Sequence, residues 1–225
     1  MGIFHKNTEY FSQNSDTVQK VKEELDNGLA LLNTIEKPLV TFFGSHLTGE
    51  DTEIYQQAKH VARAFGERGY AIMSGGGPGI MHATNAGATQ AGAPSLGLQA
   101  KLLTDEKVLD PIFTHTLAFH FLFVRRFIMS IKSEALIFYP GGYGTLNELF
   151  EYLVLMQTGI VDTVPIICID KTFWCGLFTW LEEHPFKKQY LIHQDHDLKH
   201  IRFANSFEEI MSIIKEATPT VDEAN

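Results

Sequence analysis

Three observations predict an α/β protein built on a doubly wound parallel sheet, with helices on both faces and one domain. Short continuous apolar runs alternate with segments of helical period. Two glycine-rich turns, Ser74-Gly75-Gly76-Gly77-Pro78-Gly79-Ile80-Met81 and Pro140-Gly141-Gly142-Tyr143-Gly144-Thr145-Leu146-Asn147-Glu148, each separate such a run from a helix. At 225 residues, 44% of them apolar and 20% charged, the chain also has material for a full core.

The elements follow in order. Residues 1–15 are polar and read as a flexible N-terminus ahead of a single domain at 16–217. Asp16 is a candidate cap for a helix to about Ile35, with Val18, Val21, Leu25, Leu29 and Leu32 on one face. Leu39–Phe43 is a buried strand ending at Gly44-Ser45, and Glu53–Arg68 a helix stopped by Gly69. Tyr70–Met73 is the strand before the first glycine turn, and Met81–Ala91 the helix after it. Ser95–Gln99 is a strand, Lys101–Pro111 an irregular crossing, and Thr116–Lys132 a helix. Ala135–Tyr139 is the strand before the second turn, and Thr145–Thr158 the helix after it. Val164–Ile169 is a strand and Phe173–Glu182 a helix, followed by a polar segment, His184–His200, of undefined structure. Ser206–Ala217 is the closing helix, and 218–225 a disordered tail.

Fully apolar strands joined through helices belong to a parallel sheet covered on both sides. If the winding reverses after the first half, strands 39–43 and 135–139 lie side by side. Gly44-Ser45 and Pro140–Thr145 then face each other at the switch point, where such sheets bind ligands. A formal net charge of −9 argues against nucleic-acid and anionic-membrane binding. No signal-peptide pattern opens the chain, and two cysteines, Cys168 and Cys175, fit a reducing cytoplasm without a disulfide.

The turns suit a phosphate. Glycine permits tight geometry and close approach to backbone N–H groups, and the following helix directs its positive end to the same place. Tight strand-to-helix turns need glycine too, so each turn carries both readings. Neither a dinucleotide fingerprint nor a Gly-Lys-Ser/Thr phosphate loop is present, which leaves a smaller phosphorylated ligand. Arg125 and Arg126 sit among Phe119, Phe121, Leu122, Phe123, Val124, Phe127, Ile128 and Met129, in a helix that reads as buried. An arginine there needs an anion: a structural ion pair, or a ligand or catalytic carboxylate reached by one of the two. Thr145-Leu146-Asn147-Glu148 matches a capping box, which gives Glu148 a structural task before any chemical one. Glu151 is a favourable acid near the same helix start. His184, His193, His196 and His200 lack the companions of a zinc site and read as a solvated segment.

These motifs in this order resemble the LOG (Lonely Guy) family, cytokinin riboside 5′-monophosphate phosphoribohydrolases often labelled possible lysine decarboxylases. The resemblance runs from about Leu39 to Ile169 and rests most on the second turn with Glu148, then on Gly75–Met81, Gly44-Ser45 and Arg125. It implies a Rossmann-like fold. It also implies hydrolysis of the N-glycosidic bond of AMP or N6-modified AMP, giving free base and ribose 5-phosphate. Arg125 and Glu148 align with the catalytic pair, while Gly141, Gly142, Tyr143, Gly144 and Thr145, with Gly75, Gly76, Gly77, Gly79, Gly44 and Ser45, align with the nucleotide-binding turns. Arg126 and Met81 are secondary candidates. Phe123 and Asn147 depart from the plant-type pattern, which has His and Glu there, and the added N-terminal helix and long tail resemble a larger bacterial subgroup. No cofactor and no metal are implied. The aromatic surplus around Arg125, with the resemblance, points to a homodimer or a hexamer built from dimers. A non-catalytic molybdenum-cofactor carrier of similar fold is the alternative.

Overall fold

The computed structural model describes residues 14–101, 112–190 and 200–217. All but Lys101 of the expected irregular crossing at 101–111, most of the histidine segment, the start at 1–13 and the tail at 218–225 lie outside the described residues. The elements are α1 Asn14–Thr34, β1 Leu39–Phe43, α2 Glu53–Glu67, β2 Ala71–Ser74, α3 Ile80–Gln90, β3 Ser95–Ala100 and β4 His115–Phe119. They continue with α4 Leu122–Ser130, β5 Ala135–Phe138, α5 Tyr143–Gln157, β6 Ile166–Ile169, α6 Lys171–Leu181, β7 Ile201–Ala204 and α7 Phe207–Ala217.

The seven strands form one parallel sheet in the order β4-β3-β2-β1-β5-β6-β7. The winding reverses between β1 and β5, with Val40 opposite Ala135 and Phe43 opposite Phe138. The expected switch point is therefore present. Both faces of the sheet are covered, which is why the central strands read as unbroken apolar runs. Leu39 and Phe43 join Leu136 and Phe138 under α1, α4, α5 and α6; Val40 and Phe42 join Ile72 and Ile137 under α2, α3 and α7.

Several expected boundaries change. Thr116–Phe119 belongs to strand β4, and its helix begins only at Leu122. Phe119 is consequently core, 1% exposed, rather than surplus helical surface. The helix is not buried all round either, since Leu122 and Phe123 are exposed. Ile201–Ala204 adds an edge strand after the polar segment. Asp16 lies inside the first turn of α1 rather than capping it, and Val18 and Leu29 are exposed. Gly69 takes φ +89°, the left-handed conformation expected of a helix stop.

Candidate active site at the switch point

The carboxyl ends of β1, β2 and β5 meet through the backbone. Ser45 N–H donates to Pro140 O at 3.0 Å, and Ile80 N–H donates to Ser45 O at 3.0 Å. Ser45 thus ties both glycine turns together. Gly44 is a close-packing residue, for a Cβ there would lie 2.8 Å from Ile80.

The first turn is a filled joint. Gly75, Gly76, Gly77 and Gly79 are all buried. Gly76 and Gly79 have φ +67° and +65°, which disfavour any Cβ. A Cβ on Gly79 would strike Ser45 O, and one on Gly75 would meet Met81 Sδ and the Arg125 guanidinium. The Gly76 N–H is taken by Ser74 Oγ at 3.0 Å, and Ser74 Oγ in turn donates to Asn85.

The second turn is open. Gly142 caps α5 without a side-chain hydrogen bond, and the first helical bond runs from Leu146 N–H to Gly142 O. Tyr143, Gly144 and Thr145 therefore occupy the first turn, where N–H groups have no acceptor within the helix. A Cβ on Gly142 or Gly144 would meet nothing within 4 Å, and Tyr143 is 93% exposed. Thr145 is buried against Gly141. The expected capping box is absent, because the helix starts two residues earlier than Thr145. Glu148 is a full turn inside and free of a capping task.

Its partner is on the neighbouring helix. Arg125 Nη1 lies 3.5 Å from Glu148 Oε1, with the two side chains 11% and 13% exposed. Arg125 Nε also donates to Leu98 O on β3 at 2.6 Å. One guanidinium thus touches β3, the first turn and α5. Next to it, Arg126 Nε pairs with Glu151 Oε2. Arg126 accordingly has its own carboxylate, and Glu151, read as a helix-end acid, is the pairing residue that sequence reasoning left unassigned. Its signal was the spacing: carboxylates at i and i+3 opposite adjacent arginines.

Burial pushes the Glu148 carboxyl above the ordinary range, and the Glu151 charge adds to the rise. Arg125 and Arg126 pull it down but do not overcome burial. Charge pairing moderates the desolvation of Glu148 rather than holding it in the usual carboxylate range. The Tyr152 hydroxyl is buried without a hydrogen-bond partner among the described residues. Burial, reinforced by nearby Glu148, pushes its phenol well up, so it stays neutral.

His193 and His196 lie outside the described residues; His184 stacks on Trp180 at 5.5 Å, far down the chain from the turns. Cys168 is buried and Cys175 exposed, both free. No helix among the described residues is long and apolar enough to cross a membrane.

Fold and site together define a class: parallel α/β proteins with an anion-suited turn and an acid–arginine pair at the switch point. A family model described as possible lysine decarboxylase matches residues 81–214. The cytokinin riboside 5′-monophosphate phosphoribohydrolase of Mycobacterium tuberculosis is 31% identical over 131 residues, 57% of this chain and 70% of that one. An Arabidopsis thaliana protein of the same description is 32% identical over 113 residues, 50% of this chain and 49% of its own length. Among solved structures, the molybdenum cofactor binding protein of Rippkaea orientalis aligns with TM-score 0.61 and 18% identity, covering 81% of this chain and 98% of that one. That likeness concerns the fold. The chain belongs to the possible lysine decarboxylase family, the LOG family of these phosphoribohydrolases.

Proposed function

We propose that the chain hydrolyses the C1′–N9 bond of purine nucleoside 5′-monophosphates, adenine or N6-modified adenine being the base, and releases ribose 5-phosphate. The observation that carries this reading is the buried Arg125–Glu148 pair in a site that includes a helix N-terminus with no side-chain cap. The names of the curated relatives support the same reaction class.

The backbone N–H groups of Gly141–Thr145 take the 5′-phosphate, so binding energy from the unreacting end fixes the sugar. Cleavage of the glycosidic bond builds positive charge on the ribose. Glu148, ionised, stabilises that charge and takes a proton from the attacking water. Arg125 moderates the rise in the Glu148 pKa and stands within reach of phosphate or ribose hydroxyls. Water adds at C1′, the C1′–N9 electron pair leaves with the base, and the base takes up a proton.

Losing the 5′-phosphate removes several charge-assisted hydrogen bonds, each worth roughly 1.5–3 kcal/mol. AMP turnover, with kcat/KM far above that for adenosine, is the expected result; equal values would sink the reading. The fold likeness to a molybdenum cofactor binding protein supports a second reading, a carrier without chemistry. Release of free adenine from AMP separates the two.

A homodimer, or a hexamer of dimers, is part of the same proposal. Leu122 and Phe123 on α4 and Phe150 and Val154 on α5 are exposed apolar residues on the two helices that bear the ion pairs. Exposed apolar side chains on these helices suit a self-complementary interface. Light scattering should give a dimer mass or a multiple of it; a monomer with full activity at micromolar concentration would refute it.

A further inference from the structure

From Glu24 onward, α1 is joined to α4 and the residues flanking it at three points, in order along α4. At the start, Glu24, only 8% exposed, accepts hydrogen bonds from the N–H groups of His120 at 2.6 Å and Phe121 at 3.0 Å. Phe121 is the N-cap of α4 and provides no side-chain cap of its own. A carboxylate from another helix therefore occupies the positive end of α4. In the middle, Gly28 receives Ile128, with so little room that a Cβ would lie 2.6 Å from Ile128 Cγ1. At the far end, Lys132 Nζ donates to Leu32 O at 2.7 Å and also to Ile35 O, placing a cation on the terminal carbonyls of α1. The two helices cap each other reciprocally, anion on one dipole end and cation on the other.

We propose that this clamp makes Glu24, Gly28 and Lys132 positioning residues for Arg125, which rides on α4 between the two fastened ends. The inference rests on the reading that Arg125 serves the reaction. It extends the functional unit to α1, which lies ahead of the matched stretch 81–214. Arg125 sits one turn from the Glu24 cap, and its Nε bond to Leu98 O and its 3.5 Å approach to Glu148 depend on where α4 starts. Lys101, 3.9 Å from Glu24, completes the charge pattern at this end.

The full-length chain with Glu24→Gln, and separately Lys132→Met, tests the clamp. The first readout is the rate at which phenylglyoxal modifies Arg125, followed by peptide mass spectrometry. Both variants should raise it at least about fivefold, the shift expected when a helix end loses its cap. Backbone hydrogen exchange in α2 and α3, across the sheet, should stay as in the unaltered protein. The second readout is the acid limb of the kcat/KM profile for AMP. The groups facing Glu148 are Arg125 and Arg126 from α4 and Glu151 and Tyr152 from its own helix. A displaced Arg125 no longer offsets burial, so the limb should move to higher pH. Unchanged modification of Arg125 in both variants overturns the clamp, as does acceleration matched by equal exchange gains in α2 and α3. If Arg125→Ala retains full turnover, the catalytic reading fails, while the modification rates still decide whether α1 holds this arginine.

Discussion

The two glycine turns look alike in sequence and differ in what the fold asks of them. In the first, the glycines are compelled: positive φ at Gly76 and Gly79, and neighbours where a Cβ would go at Gly75, Gly76 and Gly79. In the second, Gly141 is compelled by Thr145, but Gly142 and Gly144 have open space where a side chain would stand and no unusual φ. The folded chain gives no steric reason for glycine there. Close approach of a phosphate to the backbone, as in the proposed function, would supply the reason. One turn is packed as a joint; the other is, on the proposed function, the berth for the phosphate.

The largest expected effect tests the chemistry placed beside that berth. Glu148→Gln should keep Tm near that of the unaltered protein, because the residue caps nothing, and lower kcat by at least about a hundredfold. Arg125→Ala should lose turnover and weaken nucleotide binding. Arg126→Ala should do less, since its carboxylate is Glu151. The reverse ranking of the two arginines in matched kinetics would reassign the site.

The comparison itself is broken or sharpened by an alanine pair. Gly79→Ala forces a Cβ against Ser45 O at positive φ and should cost about 3 kcal/mol of stability. Gly144→Ala should leave stability unchanged or raise it by up to about 1 kcal/mol, since the position is helical. Its AMP affinity should nonetheless fall roughly tenfold or more through loss of a charge-assisted bond. Denaturant melts and calorimetric titration read both; a Gly144→Ala protein that binds AMP normally would remove the anion role from the second turn.

A smaller effect concerns pH. Because Glu148 is raised overall, kcat/KM should climb with pH through a limb above the ordinary glutamate range. Glu151→Gln removes a like charge and frees Arg126 to act on Glu148. Both lower the Glu148 pKa, so the limb should shift to lower pH. An unchanged limb would mean that the Arg126–Glu151 pair does not act on Glu148.

Much of this was legible in the residues. The strands buried on both faces declared themselves as apolar runs; the reversal between β1 and β5 entered only as a condition, because alternation of strands and helices leaves strand order open, and the sheet meets that condition. β4 was not legible. Thr116–Phe119 runs into Phe121–Val124 with no glycine or proline between them, so strand and helix merged into one apolar stretch. β7 is a short edge strand of mixed residues, Ile201–Ala204, with too few positions to show a period. The contact face of α1 was misread for a different reason: two of its buried residues, Glu24 and Gly28, are an acid and a glycine, invisible to a search for apolar periodicity. For the site, Arg125 and Glu148 were found by motif. The capping box that competed for Glu148 failed because the helix begins at Tyr143, two residues before Thr145.

The pairing of β1 with β5 has a consequence for synthesis. Val40 reaches its partner Ala135 only after three intervening strands and their helices have been made. Until then one edge of β1 has unmet N–H and C=O groups, a template for stray strands in a crowded cell. Long-range closure of this kind is slow. A nascent chain stalled before residue 135 would have β1 to β4 available and no Glu148, so truncated products should aggregate more readily than they misreact.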